Sequence, residues 1–253
     1  MGRPRAAEGV LIAPRFHVPG ASPGARIALP EHSAHHARDV LRLRAGAEVR
    51  VFDGHGAEFD ARLETVTRHE VSGRITGAAV PRPESPLRAT LAMSPLKGDR
   101  MELAIQKATE LGVSEVRPVV TIRTDAAARP ALKGARQDRW EKVASGAAEQ
   151  CGRATVPVIA PTVTLAEFMA APPAGLRLVL LERDEGQPAL AALPRPAAVT
   201  MLVGPAGGWD PVEIRRLTDA GFQAVSLGPR ILRAETAAIA ALTAAQVLWG
   251  DLQ

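Results

Sequence analysis

The spacing of hydrophobic residues changes once along the chain. Between Arg15 and Val80 it is mostly a period of two: "AEVRVFDG" (47–54), "AEFDARLETV" (57–66) and "VSGRITGAAV" (71–80) alternate apolar and polar positions, with His55-Gly56 as a turn between the first two. Such alternation predicts strands with one buried face. One helical segment, "PEHSAHHARDVLRL" (30–43), interrupts them. The proline-rich joint "PRPESP" (81–86) follows and marks a domain boundary. Beyond it the spacing becomes helical in "GDRMELAIQKATELG", where Met101, Ala104, Ile105, Ala108 and Leu111 share a face and Gly112 supplies a stop. A strand "EVRPVVT" comes next, and then a helix presenting Trp140, Val143, Ala147 and Cys151. Three strand-like runs complete the pattern, "LRLVLLE", "VTMLVG" and "FQAVSL", with a helix after each of the last two. Strands alternating with helices predict an α/β domain with a largely parallel sheet over 87–253, behind a small β domain over 15–82 and an N-terminal extension over 1–14.

Composition narrows the partners. With 46% apolar and 23% charged residues in 253, the chain is that of a soluble globular protein. Only four cations are lysine (97, 107, 133 and 142), so the formal charge of +4 is carried by arginine, whose planar fork suits phosphate and base edges. Tyrosine is absent, so an RNA site here relies on guanidinium and backbone contacts rather than aromatic stacking. One cysteine, Cys151, excludes a disulfide framework and a cysteine-based zinc cluster. His32, His35 and His36 could share a helix face, but no carboxylate pattern accompanies them, and no metal is expected. The short "VLIA" run near the N-terminus is no signal-peptide core, and no run is long enough to span a membrane, so a cytoplasmic protein is expected.

Candidate chemistry gathers at strand ends. "MLVGPAGGWDPVEI" ends a strand in Gly204-Pro205-Ala206-Gly207-Gly208, and Asp210, Pro211 and Glu213 then open a helix with a capping box. Glycines there let backbone amides approach a ligand, although a tight strand-to-helix turn asks for them too. Two more strands stop at Leu181-Glu182 and at "LGPRILRAET" (227–236). Ligands of open α/β sheets favour the carboxyl ends of strands. Neither a dinucleotide fingerprint nor a GxxxxGK[ST] phosphate loop is present.

Four segments in this order, "KGDRMELAIQKATELGV", "AAEQCGR", "LVGPAGGW" and "LGPRILRAETA", resemble the 16S ribosomal RNA uridine-N3 methyltransferase family, RsmE. The resemblance covers nearly everything from Arg15 onward, with "HHARDVLRLRAGAEVRVFDG" similar to that family's PUA-like RNA-binding module. It implies a SPOUT fold, an α/β domain tied in a trefoil knot, preceded by a PUA-like β-barrel domain. It also implies S-adenosyl-L-methionine as methyl donor, a homodimer formed through the knot domain, and 16S rRNA or the small ribosomal subunit as partner. Residues implied to hold the donor are Leu181, Glu182, Gly204, Pro205, Gly207, Gly208, Leu227, Gly228, Ile231, Leu232 and Thr236. Arg233, then Arg230, are implied to face the target base, and Lys97, Arg100, Arg123, Arg153, Arg15 and Arg42 to meet RNA. Arg233 could instead pair with Glu235 or with the partner subunit, Arg100 and Lys107 could form a solvated face with Glu110, and Arg153 could serve a helix end. The chain departs from the family's GPEGG at Ala206, which removes a carboxylate, and "TIRT" (121–124) lacks a glutamate before Arg123. An RNA-binding or ribosome-assembly protein that keeps the fold without catalysis is the alternative that Ala206 raises.

Overall fold

The computed structural model describes residues 13–128, 136–182 and 187–252. Most of the expected extension 1–14 lies outside them, although the Pro14 carbonyl accepts a hydrogen bond from the Arg50 amide at 2.8 Å. The chain divides into two compact units after Arg82, inside the proline-rich joint.

The first unit is a five-stranded sheet in the order β1-β3-β4-β5-β2, built from β1 (Arg15–His17), β2 (Arg26–Ala28), β3 (Glu48–Phe52), β4 (Glu58–Val66) and β5 (Val71–Ala79). Only β1 and β3 run parallel. The alternation sorts as expected: Val49, Val51, Phe59, Ala61, Leu63, Val71 and Ile75 face one buried cluster with Phe16. Asp53 shapes the β3–β4 turn by accepting from the amides of His55 (2.7 Å) and Ala57 (3.0 Å). The helical segment is α1 (Glu31–His35) continued by a π-helical turn over His36–Val40. It ends at Arg42, whose φ of 55° is the left-handed value usually left to glycine. At the end of β1, His17 stacks on Phe52 at 5.2 Å, and burial holds its pKa below the ordinary 6.5.

The second unit is a seven-stranded parallel sheet between two helical layers. Its strands are β6 (Arg88–Met93), β7 (Glu115–Val120), β8 (Val158–Ile159), β9 (Val163–Thr164), β10 (Leu176–Leu180), β11 (Ala198–Val203) and β12 (Gln223–Val225). The order is β12-β10-β11-β6-β7-β8, with β9 added to β7. Helices α2 (Arg100–Glu110), α3 (Gln137–Cys151), α4 (Leu165–Ala170), α5 (Pro211–Asp219) and α6 (Ala234–Trp249) cover the two faces. Alternate strand residues feed opposite cores. Leu91, Met93, Leu178 and Met201 join Met101, Ile105, Trp140 and Leu242 on the α2/α3/α6 side. Ala92, Val179 and Leu202 join Phe168 and Leu217 on the α4/α5 side. Burial on both faces is why these strands read as continuous apolar runs.

Two helix faces differ in detail. The α2 face is as predicted except that Leu111 is the C-cap and only partly buried. On α3 the buried residues are Trp140, Ala144, Ser145, Ala147 and Ala148, while Val143 and Cys151 stand at the edge. Small alanines let α3 lie close to α2, and Arg139 Nη2 reaches Glu102 across the pair at 2.7 Å. The C-terminal helix is fastened by a fully buried side chain: Gln246 Nε2 donates to the Leu111 carbonyl (2.8 Å), and Gln246 Oε1 accepts from Ser85 Oγ (2.7 Å). Among the described residues no helix is long and apolar enough to cross a membrane.

Candidate active site

Register places three strand ends side by side. Leu180, the last residue of β10, pairs with Val203 of β11 on one side and with Val225 of β12 on the other; Val203 pairs in turn with Met93 of β6. Because β10 lies between β11 and β12, the chain must pass over β10 in going from one to the other. Such reversals leave a crevice at the carboxyl ends of the strands.

The crevice is a cleft of about 820 Å³. Ten of the eleven residues expected to hold a donor line it: Leu181, Glu182, Gly204, Pro205, Gly207, Gly208, Leu227, Gly228, Ile231 and Leu232. Thr236 does not. Side chains one residue apart on a helix diverge by about 100°, so Ala234, Glu235 and Ala237 face the cleft while Thr236 is exposed elsewhere.

The glycine-rich loop has two different needs for glycine. At Gly204 the requirement is space: a Cβ there would lie 2.7 Å from Trp209 Nε1. That indole donates to the Leu180 carbonyl at 3.0 Å and so ties the loop after β11 to the end of β10. At Gly208 it is conformation, since φ is +72° where the Gly208 amide closes a turn on the Pro205 carbonyl at 2.9 Å. Ala206 sits inside that turn and is exposed.

Capping of α5 extends the construction. Asp210 Oδ1 accepts from the Val212 amide at 2.9 Å, and Glu213 closes the box as the sequence predicts. The Glu213 carboxylate, only 3% exposed, also accepts from the Ile122 amide at 2.8 Å. It therefore holds the turn after β7 against the glycine loop. Beneath that turn, Ser94, Thr121 and Thr124 form a buried hydroxyl cluster, with Ser94 Oγ and Thr124 Oγ1 2.7 Å apart. Neither periodicity nor motif assigns a site role to Trp209, Glu213 or Glu235: Trp209 lies within the glycine-rich motif, and Glu213 reads as a helix cap alone.

Four guanidiniums line the cleft, those of Arg100, Arg123, Arg230 and Arg233. Arg123 Nη2 is 3.4 Å from Asp210 Oδ2. Arg100, Arg230 and Arg233 make no ion pair among the described residues, so the alternative pairing of Arg233 with Glu235 does not occur. Other expected RNA contacts lie elsewhere. Lys97 is on a shallow concavity beside Arg100. Arg42 is exposed on the first unit. Arg15 and Arg153 are turned inward: Arg15 Nε meets buried Glu58 at 2.8 Å with its side chain 9% exposed. Arg153 binds Glu84 at 2.6 Å and the carbonyls of Thr109 and Val113. Both arginines serve the scaffold in this structure.

Known proteins with this architecture decide the family. Residues 83–246 match the model of the RNA methyltransferase domain, and residues 29–76 that of the RNA methyltransferase PUA domain. Ribosomal RNA small subunit methyltransferase E of Synechocystis is 34% identical over 86% of this chain and 72% of its own. The crystal structure of the Neisseria gonorrhoeae ribosomal RNA small subunit methyltransferase E bound to S-adenosyl methionine is 37% identical, with a TM-score of 0.85 over 95% of this chain and 100% of that one. The chain belongs to the ribosomal RNA small subunit methyltransferase E family. A Legionella pneumophila protein solved with bound SAM is similar as well, at 36% identity and a TM-score of 0.88 over 95% of this chain and 99% of that one. Within the family's two-part layout, the cleft described above belongs wholly to the methyltransferase unit.

Proposed function

We propose that the protein transfers a methyl group from S-adenosylmethionine to N3 of a uridine in 16S rRNA of the small ribosomal subunit. The observation that carries this reading is the convergence of the β10, β11 and β12 ends on one cleft lined by glycine backbone and unpaired guanidiniums, in a chain of this family.

The residues present fit the donor. About 820 Å³ lies within the range of small-molecule sites. Leu181, Leu227, Ile231 and Leu232 offer an apolar surface to an adenine ring, and the backbone of 204–208 and 227–232 offers amides and carbonyls. Glu182 at the end of β10 is suited to ribose hydroxyls. S-adenosylmethionine, when bound, supplies an electrophilic methyl group. The chain's own part is to align that group with the ring nitrogen and to exclude water. Arg233 and Arg230 stabilise the negative charge that grows on the uracil oxygens as N3 loses its proton. Arg100 and Arg123, exposed where they line the cleft, meet flanking phosphates. The target base must leave its stack to reach this depth.

The family resemblance adds a trefoil threading of the second unit, a homodimer through it, and a cytoplasmic setting beside the ribosome. Exposed Leu103 on α2 and Val247 and Leu248 on α6 give a dimer an apolar surface to cover. The decisive experiment incubates purified protein and labelled donor with small subunits lacking the modification, followed by nucleoside mass spectrometry. N3-methyluridine at one position is expected. Donor binding without any methylated nucleoside would return the non-catalytic alternative.

A further inference from the structure

We propose that Glu235 is the group that takes the N3 proton of the target uridine; this rests on the uridine-N3 methyltransferase reading above. Among the described residues lining the cleft, the carboxylates are Glu182 and Glu235. Glu182 is exposed at the mouth, whereas Glu235 is 9% exposed. A carboxylate in the first turn of a helix is favourable to the helix dipole in any protein, but ordinarily it faces water. This one faces the cleft between Ala234 and Ala237, with no hydrogen bond or ion pair to a described residue. Among the described residues its oxygens are not buried atoms lacking a partner, so they open onto the cleft, where alanine, which occupies its neighbours, would offer no acceptor.

The chemistry of the substrate explains the arrangement. The imide edge of uracil presents a carbonyl, an N–H and a second carbonyl in a row. Its complement is a donor, an acceptor and a donor. The segment 230–235 brings two guanidiniums and one carboxylate into the same cleft. Arg230 and Arg233 answer the carbonyl oxygens and Glu235 answers the N–H. The proton passes from N3 to the Glu235 carboxylate, which becomes a carboxylic acid, and the N–H bonding pair stays on nitrogen as an in-plane lone pair. That pair then forms the N–CH3 bond, and the C–S pair remains on sulfur as a neutral thioether. Proton and methyl use the same in-plane lobe of N3, so deprotonation comes first. The flexible glutamate side chain then withdraws from the path.

The test compares wild type with Glu235→Gln, using small-subunit RNA that carries either uridine or 5-fluorouridine at the target; fluorine makes the N3–H more acidic. Calorimetry with S-adenosylhomocysteine and thermal melting report on the cleft independently of turnover. Expected for Glu235→Gln are unchanged melting and homocysteine-product affinity, a kcat lower by roughly 10²–10⁴-fold on uridine, and recovery of most of that loss on 5-fluorouridine. A wild-type rate on uridine overturns the proposal. So does loss of S-adenosylhomocysteine affinity, which assigns Glu235 to the donor's ammonium, and so does a deficit that 5-fluorouridine leaves untouched. If the amide fails to fold, Glu235→Asp keeps the carboxylate at shorter reach and is judged by the same recovery. Wild-type protein that forms no N3-methyluridine refutes the functional reading itself, and this proposal with it, a result distinct from any of the others.

Discussion

Replacing Gly204 by alanine tests whether the loops of the cleft act as one construction. The backbone at Gly204 is not in the left-handed region, so an alanine suffers there only from lack of space. Its methyl would sit 2.7 Å from Trp209 Nε1, 2.8 Å from Cε2 and 3.1 Å from Cδ1. A ring edge cannot yield by rotating a terminal bond, so the indole must move bodily. Moving it breaks the 3.0 Å hydrogen bond to the Leu180 carbonyl. Overpacking of this kind costs about 1–3 kcal/mol, and the lost bond adds about 0.5–1.5 kcal/mol. Together the substitution should destabilise the second unit by roughly 2–4 kcal/mol. If half of that is spent in displacing the loop after β11, donor affinity falls about tenfold for each 1.4 kcal/mol. Denaturant unfolding measures the first quantity and calorimetry with S-adenosylhomocysteine the second. Gly208→Ala is the control: nothing lies within 4 Å of its Cβ, and only the φ of +72° opposes it, at about 1 kcal/mol. A Gly204→Ala protein as stable as wild type, or no weaker than Gly208→Ala in binding, would refute the view that Trp209 locks two strand ends together.

Arg233→Lys should bind S-adenosylhomocysteine normally and lose methylation by about 10²-fold or more, because an ammonium cannot reproduce the planar fork; retained turnover removes Arg233 from the chemistry. Arg42→Gly should raise the stability of the first unit by about 0.5–1 kcal/mol by relieving the φ of 55°, read from its unfolding midpoint. His17 makes the first unit acid-sensitive: burial is the main cause of its lowered pKa, His32 and His55 add to it, and the Asp53 carbonyl opposes it. The unfolded chain therefore binds the proton more tightly, so this contribution to stability is complete above pH 6.5 and is lost as pH falls through the depressed value. His17→Gln should flatten that slope in unfolding curves taken between neutral and mildly acidic pH. Gln246→Leu should cost about 1–3 kcal/mol in the second unit, since it strands the Leu111 carbonyl and leaves the Ser85 hydroxyl only the Leu87 amide as partner.

The parts of the molecule that the sequence announces are those where one physical requirement acts alone. Alternation in β3 to β5 appears because only one face of that sheet is buried. The three cleft loops stand out because glycine and proline cluster where strands stop. The central strand β6 is silent by contrast: "RATLAM" is buried on both faces after its first residue, so it shows no period, and alanine and methionine are equally at home in helices. Arg15 and Arg153 look like RNA contacts because a sequence shows charge without direction, and only tertiary partners such as Glu58 and Glu84 reveal where it points. Glu213 reads as a cap and is one, but its second bond to Ile122 joins residues 91 apart in the chain. Periodicity carries no information about such a contact. The inward turn of Glu235 is hidden for a related reason, since α6 is apolar on nearly every side and its pattern does not say which flank meets the cleft.

The attachment of Gln246 to Ser85 and Leu111 has a bearing on biosynthesis. Those bonds span 161 and 135 residues, so they can form only after almost the whole second unit has emerged from the ribosome. Since the beginning of α6 supplies one wall of the cleft through Ala234, Glu235 and Ala237, a nascent chain still lacking that helix has the cleft without that wall. The cleft is thus completed in a single event, the docking of α6 onto a sheet already in place.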